Sequence, residues 1–150
     1  MNEFIYKPNF KKRIIATILD YGFFLLLFYV YVMYFGEPNA EGGYTASGFY
    51  ALPIPIMWFI YFVIIEANLG GTVGHHGLGL KVVKLKNRRD IGISEAFKRH
   101  LLDPIDILIY GIPAFLTVKF SEKHQRIGDM VANTIVVDTS DPEQHENKDE

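Results

Sequence analysis

The chain contains no cysteine, which excludes disulfide staples, thiol nucleophiles and cysteine-ligated metals. Charge is missing from two long stretches. Residues 14–35 (IIATILDYGFFLLLFYVYVMYF) carry one charged side chain, Asp20, and residues 49–65 (FYALPIPIMWFIYFVII) carry none. Between them, residues 36–48 contain no lysine or arginine. The glycine-rich segment GGTVGHHGLGL lacks the GK[ST] of a phosphate loop, and its glycines run in the reverse order to a dinucleotide fingerprint. Adjacent His75 and His76 have no further ligand at metal-binding spacing, which makes them loop histidines rather than a metal site. No Ser/His/Asp set or paired carboxylates stand together, so the sequence predicts no enzyme, no cofactor and no resident metal.

The net charge of −2 is a cancellation of segregated parts: +3 in residues 1–13, +5 in 67–101 and −5 in 138–150. Such segregation around apolar runs predicts a multi-pass membrane protein rather than a soluble domain. A helix over 14–35 rises about 33 Å, enough to cross a bilayer. The second run is shorter, with Pro53 and Pro55 in its first turns, where proline is tolerated. Residues 101–118 (LLDPIDILIYGIPAFLTV) are apolar but interrupted by Asp103, Pro104, Asp106, Gly111 and Pro113. They form either a third crossing or a broken segment that enters and returns.

The predicted fold is therefore an all-α membrane protein with two transmembrane helices (about 14–35 and 49–66), a broken third membrane segment and a small cytoplasmic β-hairpin-like element. The membrane domain covers 1–137, and 138–150 is expected to be a disordered acidic tail. Lysines and arginines flank the first span on its N-terminal side and follow the second, so the N-terminus and residues 67–101 are expected in the cytoplasm. Residues 80–85 and 91–93, around a polar turn at 87–90, read as a hairpin; residues 132–137 are a second β-prone piece able to pair with 80–85 instead. Ser94 is placed to cap a helix with Glu95 in its first turn, lying on the inner leaflet.

Chemistry at membrane depth rests on few residues. Arg13 and Asp20, seven apart, share one face of a helix, and an isolated aspartate there costs roughly 3 kcal/mol or more unless it meets a partner, water or a proton. Asp20 and Asp106 are the candidate ion- or proton-binding residues, against a purely structural reading in which they bond other helices. Asp103 beside Pro104 reads as a helix-end residue, and Glu66 as interfacial.

Four stretches in order resemble the RDD family of small bacterial integral membrane proteins. They are Arg13-Ile-Ile-Ala16 through Asp20; Gly71-Thr72-x-Gly74 with the following Gly79-Leu80-Lys81-Val82-Val83; Ser94 through Asp106; and Arg126-Ile127-Gly128-Asp129-Met130-Val131-Ala132-Asn133-Thr134-Ile135-Val136-Val137. The chain departs from the family in carrying His75 where a lysine often follows the loop glycine, and Asn133 where glycine is usual. The resemblance implies three membrane segments and a defining trio of Arg13, Asp20 and Asp129. It also implies the bacterial inner membrane and a function suggested to be transport, some members resembling cation/proton antiporters in activity. The functional expectation is an ion-coupled transporter assembled as a homo-oligomer in the lipid bilayer. The alternative is a non-transporting scaffold that binds another membrane protein. Neither requires nucleic acid.

Overall fold

The computed structural model describes residues 5–145. Helix α1 runs from Phe10 to Phe35, and a two-residue hairpin, β1 (Glu37–Pro38) with β2 (Tyr44–Thr45), links it to α2. Helix α2 covers Gly48–Leu69; it opens with a 3-10 turn, takes Pro53 at its first α-helical position and widens to a π turn over Phe59–Ile64. Then come α3 (Val73–Gly77), β3 (Leu80–Lys84), α4 (Ile93–Leu101) and α5 (Asp103–Phe120). The last elements are α6 (Ile127–Ala132), β4 (Thr134–Asp138) and α7 (Pro142–His145).

Helices α1 and α2 are each long and apolar enough to cross a membrane, and the burial of α1 is inverted relative to a water-soluble helix. On α1 the buried side chains are Arg13, Ala16 and Asp20, one face at i, i+3 and i+7, whereas Ile14, Ile15, Ile18, Leu19, Leu25 and Leu26 are exposed. Apolar side chains facing outward from a polar seam suit a hydrocarbon surround.

The third segment is bent. Ile93–Ile107 and Gly111–Phe120 meet at 109°, and Gly111 has φ +80°, a left-handed value that any residue with a Cβ would adopt only at a cost. Pro113 follows within the helix. Both ends of the segment reach the same polar region, since Arg126 Nη1 lies 2.8 Å from Asp103 Oδ1 and Arg13 Nη1 donates to the His124 carbonyl at 2.9 Å.

Strand pairing decides between the two β readings. β3 pairs antiparallel with β4, from Leu80 opposite Asp138 to Lys84 opposite Thr134, while the local hairpin is reduced to one bridge, Val83 to Asp90. β4 is buried along its whole length. It supplies Val136 to a core with Ala16, Val63, Leu80, Val82, Ile91 and Ala96, and Ile135 and Val137 to a second core with Val83. The charged 86–90 stretch has no apolar face to offer in exchange.

Two further expectations change. Helix α4 begins after Gly92, not at Ser94; Glu95 Oε2 accepts from the Gly92 N–H at 3.0 Å, closing the helix start from its third residue. The acidic tail expected to be disordered is structured through His145. Asp138 ends β4, Lys12 pairs with Asp138 at 2.5 Å, and Lys7 pairs with Asp141 at 2.5 Å and with Glu143 at 2.6 Å. The basic residues read only as membrane flanks hold these acids in place. Residues 146–150, the rest of the expected tail, lie outside the described residues.

Candidate functional site: a buried ionic cap

At the end of the helices that carries α3, α4, α6 and the β3–β4 pair, ten ionisable side chains come together. Seven of them belong to one arginine-centred network. Asp129, fully buried, receives Arg13 Nη2 at 2.7 Å, Arg99 Nη1, and Arg126 Nε at 3.3 Å. Arg99 also donates Nε to Glu66 Oε1 at 2.8 Å. Arg126 reaches Asp103 at 2.8 Å and lies 3.9 Å from Asp106.

His100 is the eighth member. Its Nδ1 meets Asp103 Oδ2 at 2.6 Å and its Nε2 faces Glu66 Oε2 at 3.1 Å. A carboxylate beside each nitrogen favours the form in which both carry protons, although the approach of Nε2 to Glu66 is an ion-pair contact rather than an aligned hydrogen bond. Three arginines and an imidazolium then balance Glu66, Asp103, Asp106 and Asp129. The Tyr21 hydroxyl adds a donor to Asp103 at 2.5 Å, and Thr134 Oγ1 accepts from Arg99 at 3.3 Å. Burial alone would raise the Asp129 carboxyl, but Arg99, Arg13 and Arg126 hold it well below the usual carboxylate range. Burial would likewise lower the Arg126 guanidinium, and Asp103, Asp129 and Asp106 raise it instead.

Asp20 and His75 are the remaining two. Asp20 Oδ1 accepts from the Gly74 N–H at 2.7 Å and from the Tyr61 hydroxyl at 3.2 Å. Its Oδ2 accepts from the Thr72 hydroxyl and lies 3.2 Å from His75 Nδ1. Among the described residues, no arginine or lysine forms an ion pair with Asp20. Three neutral donors and a neighbouring imidazole therefore do for Asp20 what arginines do for Glu66, Asp103 and Asp129. Gly74 is required for this approach, because a Cβ there would stand 2.5 Å from the Ala16 carbonyl oxygen and 2.9 Å from the Asp20 carboxyl carbon. Burial pushes the His75 imidazole below its ordinary value, against the upward pull of Asp20.

The residues singled out from sequence thus have different surroundings. Arg13, buried on the same face as Asp20, turns to Asp129 rather than to Asp20. Asp106 is engaged by backbone: its carboxylate accepts from the N–H groups of Ile127 at 3.1 Å and Gly128 at 3.0 Å, anchoring the start of α6. Glu66 is fully buried rather than interfacial, and Asp103 hydrogen-bonds with Tyr21 and His100 and forms an ion pair with Arg126 rather than only ending a helix. His75 belongs to a helical turn that touches Asp20 and is not a bystander in a loop.

Arg99, His100, Thr72, Tyr61 and Arg126 were missed as site residues. One signal was present: carboxylates at membrane depth need cationic or hydroxyl partners, and Arg99 and His100 are the bases immediately before Asp103. Among the described residues no group of three or more histidines and carboxylates is arranged to hold a metal ion.

No curated protein and no solved structure matches the chain. A family model does: the RDD family, over residues 7–133. That range begins just before Arg13 and ends just before β4, and so takes in all ten ionisable residues of the cap. The chain belongs to the RDD family, and its two long apolar helices make it a membrane protein of that family.

Proposed function

We propose that this protein is a cation/proton-coupled transporter of the bacterial inner membrane that acts as a homo-oligomer. The observation that carries the reading is the contrast between the two parts of the cap. Eight groups are balanced by fixed pairs, whereas Asp20, deep on α1, is held by hydroxyls, a backbone N–H and one histidine. A buried carboxylate without a permanent counter-charge is the site best able to hold a transported cation, or a proton on the histidine beside it, during a transport cycle. Asp106, spent on the α6 backbone, has the weaker claim.

Multi-pass insertion with the N-terminus in the cytoplasm is supported by the flanking lysines and arginines. A returning third segment is supported by the antiparallel union of β3 and β4, which requires residues 80–84 and 134–138 on one side. Two spans and a returning segment are few to enclose a pathway, so self-association belongs to the proposal. Gly22, with open space where its Cβ would lie, is a candidate contact between helices. The protein is proposed to be neither an enzyme nor a nucleic-acid binder.

A second reading, a non-transporting scaffold that engages another membrane protein, is favoured by the eight locked groups, which serve packing as well as they serve transport. Purified protein in liposomes, with internal pH followed under imposed cation gradients, separates the two. Cation-dependent proton movement that Asp20→Asn abolishes is the expected result. Folded protein that moves no protons under any gradient would overturn transport.

A further inference from the structure

A cavity of about 460 Å³ lies between α1 and α5, with Arg13, Thr17, His75, Asp106, Phe115 and Arg126 among its walls. Asp20 does not line it. His75 does, and its Nδ1 lies 3.2 Å from Asp20 Oδ2, so His75 both lines the cavity and touches the carboxylate. We propose that His75 and Asp20 form a proton-exchanging pair in which the His75 imidazole takes the proton from this cavity while Asp20 stays ionised. The use of this pair in transport rests on the reading above; proton binding itself does not.

The hydrogen-bond inventory assigns the atoms. The Thr72 hydroxyl has one proton, given to Asp20 Oδ2. His75 Nδ1, 2.8 Å from the same hydroxyl oxygen, must then donate to it, which leaves Nε2 as the basic nitrogen. The incoming proton binds Nε2, and the pair passes from a net charge of −1 to neutral without any carboxylate being protonated. The balanced eight-group network is undisturbed, because both nitrogens of His100 already face carboxylates.

Other charges face His75 from each packed element. Asp20 on α1 and Glu66 on α2 favour the imidazolium, and Arg99 on α4 opposes it. Arg13, Asp106 of α5 and Arg126 share its cavity. His75 therefore senses the cap's electrostatic state while being the member of the Asp20–His75 pair that lines the cavity.

The test is an imidazole nitrogen NMR titration of the full chain, labelled at its five histidines, in lipid nanodiscs from about pH 4.5 to about pH 9. His75 is expected to titrate reversibly with Nδ1 protonated throughout. Asp20→Asn should lower its midpoint by about one unit or more, the usual effect of losing an adjacent opposite charge. Unchanged His100 signals would certify that the variant is folded. If Asp20→Asn does not fold, the carboxylate carbon shift of Asp20 in the unaltered protein replaces it and should stay that of an ionised acid while His75 titrates.

A His75 midpoint indifferent to Asp20→Asn, a His75 that never titrates, or an Asp20 carbon that titrates in its place would each overturn the proposal. In liposomes, His75→Lys, which fixes the positive charge, should remove the pH dependence of proton flux. Titration without flux in the unaltered protein would uphold the proton pair and overturn transport. Flux with a pH-silent His75 would do the reverse.

Discussion

Asp129 is the residue on which three arginines converge, so its loss exposes more than one broken pair. Asp129→Asn keeps the shape but leaves Arg13, Arg99 and Arg126 with a neutral acceptor, and is expected to cost roughly 3–5 kcal/mol, the range for removing one partner of a buried ion pair. Thermal unfolding in detergent would read this as a large fall in midpoint. The pH dependence follows in sign from the depressed Asp129 carboxyl. Its stabilisation is complete above the ordinary aspartate value near about pH 4 and is lost as pH falls through the folded-state value below it. Acid titration of unfolding should thus show a loss on the low-pH side that Asp129→Asn lacks. Arginine substitutes poorly by lysine here: Arg99 uses Nε toward Glu66 and Nη1 toward Asp129 at once, a fork that a single ammonium cannot reproduce.

Among the elements, α3 is the shortest with a demanding role, since it brings Thr72, Gly74 and His75 onto α1 within a single helical turn. Gly74→Val is expected to disrupt this seat by driving Cβ into the Ala16 carbonyl and the Asp20 carboxyl; overpacking of this kind costs about 1–3 kcal/mol. Folded yield after membrane extraction, compared with Gly77→Val, where the Cβ would meet open space, measures the difference. The strand register offers an independent check in a chain with no native cysteine. Val82→Cys with Val136→Cys, directly opposed in the ladder, should form an intramolecular disulfide under mild oxidant, and Val82→Cys with Val137→Cys, one residue out of register and on the other face, should not.

The legible parts of these elements were those written in local pattern. The two long helices follow from uninterrupted apolar runs, and the shared face of Arg13 and Asp20 follows from their seven-residue spacing. Asp129 is locally an ordinary acid beside Arg126, and entered only through the resemblance. Arg99 and His100 were hidden by the amphipathic pattern of α4, which has the same appearance whether its polar face meets headgroups or Glu66. The pairing of β3 with β4 is a contact across some fifty residues, and propensity alone ranks it no higher than the nearby hairpin.

At the scale of the whole molecule the cap joins all three apolar segments, α6 and, through Thr134, the β3–β4 sheet. Single cysteines replacing Ser47, Asn87 and Ser140 test the arrangement in intact cells with an impermeant thiol reagent. Ser47→Cys is expected to label from outside, and Asn87→Cys and Ser140→Cys only after the membrane is opened. Labelling of the Ser140 position from outside would place β4 away from β3 and refute the shared sheet.

The β3–β4 ladder also fixes an order of events during synthesis. Residues 126–138 leave the ribosome after both spans, yet they carry Arg126, Asp129 and the strand that covers β3. Until they arrive, Arg13 and Arg99 lack their shared acceptor and β3 presents an open edge. The nascent chain therefore enters the bilayer with its polar seam unfinished, and a stretch translated after both spans acts as the latch for α1, the first of them.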